Sequence, residues 1–193
     1  MNVEVILVQH AEKERVAGDP GLTPNGHDQA RRVAEHLASR QWDQLLCSPL
    51  LRSKQTARAI GDACGLEPLI DDRLRERMNW GDAQQLESLD DFLRSWDRAS
   101  RDRTWSPPSG SSSIDTGRRM QALLADIVAN GPMSTVAVAH GGATVDLLRN
   151  LVGDSALYEL APDLISTGVA NCALTRLVHD SSWHIDFVAR PSL

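Results

Sequence analysis

Two histidines stand where an α/β chain places ligand-binding groups. His10 closely follows the β-branched run Val3–Val8, and His140 directly follows a second such run, Thr135–Ala139. Both runs read as buried strands. In open α/β sheets, ligands bind beyond the carboxyl ends of the strands. If the two strands are parallel neighbours, both imidazoles project into one crevice. Gly141-Gly142 follows the second histidine, and small residues let backbone N–H groups come close to an anion. Arg52 lies four residues beyond Ser48, the expected N-cap of a helix opened by Ser48-Pro49. Free N–H groups and the helix dipole make such a terminus attractive to anions. Each feature alone also fits a structural or surface role. Together they describe an anion pocket bordered by imidazole and guanidinium groups.

The surrounding pattern supplies elements to hold these residues. Pro24 to Arg40 reads as a helix, with Thr23 as cap, Pro24 at the first position and an apolar stripe at Ala30, Val33, Ala34, Leu37 and Ala38. Gln44–Cys47 is a short strand, and the Ser48-Pro49 helix runs to Cys64, where Gly65 ends it. Glu67–Ile70 suggests another short strand. Residues 71–113 are charged and hold Trp80, Trp96 and Trp105; they read as a lid or insertion, with Leu86–Ser100 as an amphipathic helix and Ser106 to Ser113 as a flexible loop. Ile114–Asn130 returns to helix, with Met120, Leu123, Leu124, Ile127 and Val128 on one face. Gly142–Val152 is another helix. Cys172–Val178 and Trp183–Val188 form an antiparallel pair about the turn 179–182. The alternation predicts one α/β domain over residues 1–193, a three-layer α/β/α sandwich with a mixed, mostly parallel sheet.

Composition narrows the function classes. The chain has 193 residues, 41% hydrophobic and 24% charged, which suits one globular domain. Twenty basic against 26 acidic residues give a net charge of −6, which argues against broad nucleic-acid or membrane affinity. Cys47, Cys64 and Cys172 form no paired framework, and the apolar run Val3–Val8 is too short and lacks the basic flank of a signal peptide. The expectation is a cytoplasmic protein with reduced thiols. No stretch approaches the ~20 apolar residues of a membrane span. No Cys/His cluster or HExxH suggests a metal, and Gly141-Gly142 is not a P-loop because no Gly-Lys-Ser/Thr follows. His27, His36, His179 and His184 read as ordinary surface or hairpin residues.

Taken in order, these motifs resemble the histidine phosphatase (phosphoglycerate mutase-like) superfamily over nearly the whole chain. Gln9-His10-Ala11 corresponds to the family's opening Arg-His-Gly or Arg-His-Ala motif. Leu22 to Ala30 resembles its LTxxGxxQA element, and Ser48 to Ala57 its SPLxRxxQTA element. Leu74-Arg75-Glu76, followed by Trp80-Gly81, resembles the segment with its acidic residue. Ala139 to Gly142 resembles the second histidine motif, and Asn171 to Thr175 the late strand. The resemblance implies that His10 attacks phosphorus to give a phosphohistidine. It implies that Arg52 and His140 hold the phosphoryl oxygens, with Gln9 and Gly141 completing the phosphate site. Glu76 is implied as the proton donor to the leaving oxygen and then as the base that activates water. No cofactor or metal is implied.

Position 9 departs from the family pattern. Glutamine keeps two N–H donors but loses arginine's charge and its fork of donors. Lys13, Arg15, Arg75 and Arg77 are the cations that could compensate. The resulting expectation is a phosphomonoesterase for a small phosphorylated metabolite, attenuated by Gln9. The alternative is a weak or inactive member that binds phosphorylated ligands. A mutase fits less well, because the span from Ala11 to Leu22 leaves little of a substrate-gripping loop. Specificity is expected to reside in Arg77–Ser113 and Leu157–Gly168, and a homodimer is compatible with the sequence.

Overall fold

A computed structural model of the protein describes residues 3–82, 88–131 and 133–192. Six strands form one sheet in the order β3-β2-β4-β1-β5-β6. They are β1 (Val3–Gln9), β2 (Gln44–Cys47), β3 (Leu69–Ile70), β4 (Ser134–Ala139), β5 (Leu174–His179) and β6 (Trp183–Arg190). β1 through β4 are mutually parallel, β5 runs antiparallel to β1, and β6 antiparallel to β5. The mixed, mostly parallel sheet is the one expected.

Strand periodicity sends successive side chains to opposite faces. Val3, Val5 and Leu7 of β1 pack in a core with Met120, Leu123 and Leu124 of α4 (Ser113–Ala129) and Leu147 and Leu148 of α5 (Gly141–Val152). Ile6 and Val8 point the other way, to Ala30 and Val33 of α1 (Pro24–Leu37) and Ala57 and Ile60 of α2 (Leu51–Cys64). Both faces are covered, which is why these strands read as continuous apolar runs. The result is the three-layer α/β/α sandwich.

Several boundaries differ from the sequence reading. α1 stops at Leu37 rather than Arg40, where Trp42 Nε1 donates to the freed Leu37 carbonyl at 2.8 Å. α2 starts at Leu51 without a side-chain cap from its own N-cap residue, Leu50. Asp19 Oδ1 accepts the Leu51 N–H at 2.8 Å instead, leaving Ser48 for another task. β5 begins at Leu174 because Cys172 adopts a left-handed φ of 57° that breaks the extended chain. α3 (Leu89–Arg101) is capped by Ser88; Leu86, where the sequence placed its start, lies outside the described residues. The flexible loop expected at its far end is fixed at Ser112, which caps α4, and at Ser113, which donates to Asp146 at 2.5 Å. Two short helices, α6 (Asp154–Leu160) and α7 (Leu164–Thr167), fall in a segment with no clear pattern.

α3 is anchored at its C-terminus by two arginines. Arg77 donates to the Ala99 carbonyl at 3.4 Å and to Ser100 Oγ at 3.0 Å, and Arg149 to the Ser100 carbonyl at 2.8 Å. Cations suit the negative end of a helix. Arg77 also meets the buried carboxylate of Asp146 at 3.2 Å.

Candidate active site

β1 and β4 are adjacent and in register, with Gln9 opposite Ala139. The residues that follow are therefore neighbours: the His10 N–H donates to the Ala139 carbonyl at 3.2 Å, and the His10 and His140 rings lie 5.1 Å apart at 60°. His10 Nδ1 is 2.7 Å from the Ala11 carbonyl, which can only accept, so Nδ1 carries the proton. Nε2 then presents a lone pair, and Arg52 Nε donates to it at 3.2 Å. Burial, then the charges of Arg52 and Lys13, lower the His10 pKa to about 3 against the opposing effect of the Ala11 carbonyl. The imidazole is thus neutral at ordinary pH.

His140 is fully buried, and its pKa lies well below the usual value, first through burial and then through the neighbouring His10 and Arg52. Its Nε2 is 2.7 Å from Ser48 Oγ. Ser48 Oγ also accepts from Leu50 N at 3.3 Å. With the hydroxyl proton directed to Nε2, His140 Nδ1 becomes a donor. That Nδ1 and Arg52 Nη1 are both buried without a hydrogen-bond partner, although Arg52 Nη1 lies 3.8 Å from Asp19 Oδ1. In that tautomer both are buried donors without protein acceptors, the polar groups an anion would satisfy.

The recurrent motifs become a scaffold for the residues after β1. The Ala11 N–H donates to Thr56 Oγ1 at 3.0 Å, and that hydroxyl donates to the Arg52 carbonyl at 2.8 Å. Gln29 accepts the Glu12 N–H at 2.9 Å and Gln55 the Leu22 N–H at 2.7 Å. A Cβ on Gly26 would lie 2.0 Å from the Glu12 carbonyl, so only glycine allows that approach. Asn171 donates to the His10 carbonyl at 2.9 Å, beside the left-handed Cys172. Ser48, Thr56 and Asn171 escaped the sequence reading as site residues. Their signal was present in the motifs, but a hydroxyl or amide does not reveal its partner until the chain is folded.

Glu76 is held at the N-terminus of α5. Its Oε1 accepts from Arg77 N and Ala143 N, each at 2.8 Å, and its Oε2 from Gly142 N at 3.0 Å. Arg119, an interior α4 residue the sequence did not single out, donates to the carbonyls of Arg73 and Arg75 and fixes the backbone ahead of Glu76. Glu76 and Trp96 together border two adjoining cavities. One, of about 240 Å³, contains His10, Lys13 and Arg52. The other, of about 250 Å³, contains Gln9, Gly141 and Gly142. The sequence-predicted residues thus converge on a shared wall, with His140 beneath it. Gln9 Oε1 is buried there without a hydrogen-bond partner.

The compensating cations separate clearly. Lys13 lines the His10 cavity. Arg75 pairs with Asp82 at 2.8 Å, Arg77 is committed to Asp146 and α3, and Arg15 is exposed. His179 meets Trp183 edge-to-face in the hairpin, with ring centroids 5.2 Å apart. Among the described residues, no group of three or more His, Cys, Asp or Glu side chains could hold a metal ion, and no helix is long and apolar enough to cross a membrane.

Comparison with known proteins agrees with this fold. The family model of the histidine phosphatase superfamily (branch 1) matches residues 5–188. A probable phosphoglycerate mutase of Enterobacter sp. (strain 638) is 34% identical over 191 residues, covering 93% of this chain and 86% of the relative. A probable phosphoglycerate mutase of Yersinia enterocolitica is 34% identical over 193 residues, with the same coverage. Among solved structures, one described as mycobacterial hydrolase 1 matches with a TM-score of 0.80 and 26% identity, over 99% of this chain and 100% of that one. A mycobacterial glucosyl-3-phosphoglycerate phosphatase matches with a TM-score of 0.78 and 25% identity, over 98% and 100%.

Proposed function

Because the chain belongs to the histidine phosphatase superfamily, we propose that it is a phosphomonoesterase that hydrolyses a small phosphorylated metabolite through a phosphohistidine at His10. The observation that carries this reading is the state of His10. Its imidazole is neutral, its Nδ1 is tied to the Ala11 carbonyl, and its unprotonated Nε2 accepts from Arg52 Nε beside a cavity that both residues line.

In the first step Nε2 forms a bond to phosphorus as the ester P–O bond breaks. Arg52 and His140 Nδ1 donate to the phosphoryl oxygens, with the Gln9 amide and the Gly141 backbone completing the cradle. A proton on Glu76 Oε2, the oxygen with a single N–H bond, passes to the leaving oxygen. In the second step Glu76 recovers a proton from water, the oxygen of that water bonds to phosphorus, and the P–N bond breaks to release phosphate.

The mutase named for the relatives suits the cavity less. Phosphoglycerate carries a carboxylate besides its phosphate, and beyond Arg52 the described lining of the His10 cavity offers one cation, Lys13. The uncharged Gln9 favours a slow enzyme, since a lost preorganised donor costs about 10²–10³ in rate and glutamine replaces it only partly.

The test is turnover of p-nitrophenyl phosphate by the wild type, His10→Ala and Gln9→Arg, with mass spectrometry of quenched protein. The wild type is expected to turn over and to carry one phosphoryl group that His10→Ala lacks. Gln9→Arg is expected to raise kcat/KM by about tenfold or more. An inactive wild type beside a vigorous Gln9→Arg variant would replace this reading with that of a phospho-ligand-binding member.

A further inference from the structure

We infer that the cavity beside His10 selects phosphomonoesters of apolar, ring-bearing alcohols over compact polar esters such as phosphoglycerate or glycerol phosphate. This rests on the phosphatase reading above and assigns the other half of the substrate.

Beyond His10, Arg52, Lys13 and Glu76, the described lining is Val16, Met78, Trp80, Phe92, Leu93 and Trp96, with Asn79 as the remaining polar residue. Asn79 is already engaged, donating to the Gly18 carbonyl at 2.7 Å and to Asp82 at 3.0 Å. A polyhydroxylated or carboxylated alcohol would therefore lose water with few partners in return. An apolar ring meets aromatic faces and edges at contact distance.

The aromatic wall is held in place without a ligand. Phe92 and Trp96 are one helical turn apart on α3, with ring centroids 6.0 Å apart. The Arg77 guanidinium lies 4.4 Å from the Trp96 ring centroid. Across the mouth, the Gly18 N–H donates to the Trp80 carbonyl at 2.8 Å. Gly81, with φ of 96°, lets this turn approach so closely that a Cβ would sit 2.5 Å from Gly18 N. The segment bearing Val16 and the turn bearing Trp80 are thus pinned together.

The mouth also leaves apolar surface in water. Val16 is 55% exposed and Leu93 51% exposed, although both line a cavity that ends at the nucleophile. An apolar group entering beside them removes that surface from water at no polar cost, whereas a charged or hydroxylated one gives up its own hydration to do so.

The experiment compares two esters of primary alcohols, 2-phenylethyl phosphate and glycerol 3-phosphate, so that leaving-group acidity does not decide the outcome. Wild-type kcat/KM is expected to favour the phenylethyl ester at least tenfold. Leu93→Ala and Phe92→Ala are each expected to reduce that ratio about tenfold through KM, since one methylene in an apolar pocket is already worth about tenfold. A ratio near one, or one favouring glycerol 3-phosphate, overturns the inference and leaves the phosphatase reading intact. Binding of 2-phenylethylphosphonate and methylphosphonate, followed by tryptophan fluorescence, separates the two claims. If neither ester turns over but the phenylethyl compound binds at least tenfold tighter, the cavity assignment stands and the phosphatase reading falls. Equal binding, or no binding of either, overturns the assignment.

Discussion

The wall that carries His10 and Arg52 is made of strand ends and a helix start, whereas the wall that carries Phe92 and Trp96 is one helix lying largely in water. On the first wall His10, Arg52, Ser48, Thr56 and His140 are all buried, and each takes part in hydrogen bonds set by strand register or helix position. On the second, Ala99 is the buried residue of α3, and the helix is held through its C-terminal carbonyls by Arg77 and Arg149. Transfer of a phosphoryl group needs donors fixed before the reaction begins. Choice among alcohol groups needs area and shape, which a side-anchored helix can supply and vary. On the proposed reading, chemistry belongs to buried elements fixed by strand register and selectivity to a largely exposed helix anchored at one end.

Cutting the anchor of α3 is expected to have the largest effect on stability. Arg77→Ala leaves Asp146 buried without its partner, and breaking a buried pair costs about 3–5 kcal/mol. The low end, about 3 kcal/mol, is expected because burial pushes the Asp146 pKa up to about 7, so the carboxyl can take a proton when its partner is lost. Urea unfolding measures it, and a change below ~1 kcal/mol would mean that the pair does not anchor the second wall.

A smaller, purely chemical effect is expected on the first wall. Ser48→Ala removes the hydroxyl that orients His140 at 2.7 Å. Misplacing one group in a reacting constellation can cost about a hundredfold, so kcat is expected to fall by about 10–100-fold with KM nearly unchanged. Steady-state kinetics decides this; an unaltered kcat would show that burial alone orients His140.

The smallest effect concerns pH. The pKa of His10 is about 3 in the folded protein, below the ordinary value of 6.5, so the unfolded chain binds its proton first as pH falls. Stability from this group is full above about pH 6.5 and is lost toward about pH 3, with ~1.5 kcal/mol lost between about pH 6.5 and pH 5. His10→Asn should flatten the profile by that amount. Asp146 contributes the opposite slope, stability gained as pH falls through about 7, but it is common to both proteins and cancels in the difference. Equal slopes in the two proteins would mean that His10 takes up its proton in the folded protein as it does in the unfolded chain.

Much of the first wall was legible in the sequence, and little of the second. Strand period, strand-terminal histidines and glycine spacing are local signals, and they located His10, Arg52, His140 and the Gly141-Gly142 turn. Ser48 was read as a helix cap because serine before proline ordinarily is one; in the fold its hydroxyl serves His140 and Asp19 supplies a bond to the helix start. Arg77 looked like a spare cation near the site, yet it is committed to a carboxylate 69 positions away in the chain. The aromatic residues of 71–113 stood out by type, but their common face required α3 to be docked.

By itself, the order of apolar runs, glycines and histidines determined the α/β layering, the parallel strands and the pair of imidazoles at their ends, because these follow from local periodicity and one handed connection rule. Tertiary structure alone decided which nitrogen of His10 carries the proton, what Glu76 touches and what lines the cavity beyond the phosphate site. Those properties depend on partners distant in sequence, brought within hydrogen-bond or van der Waals range only when both faces of the sheet are packed.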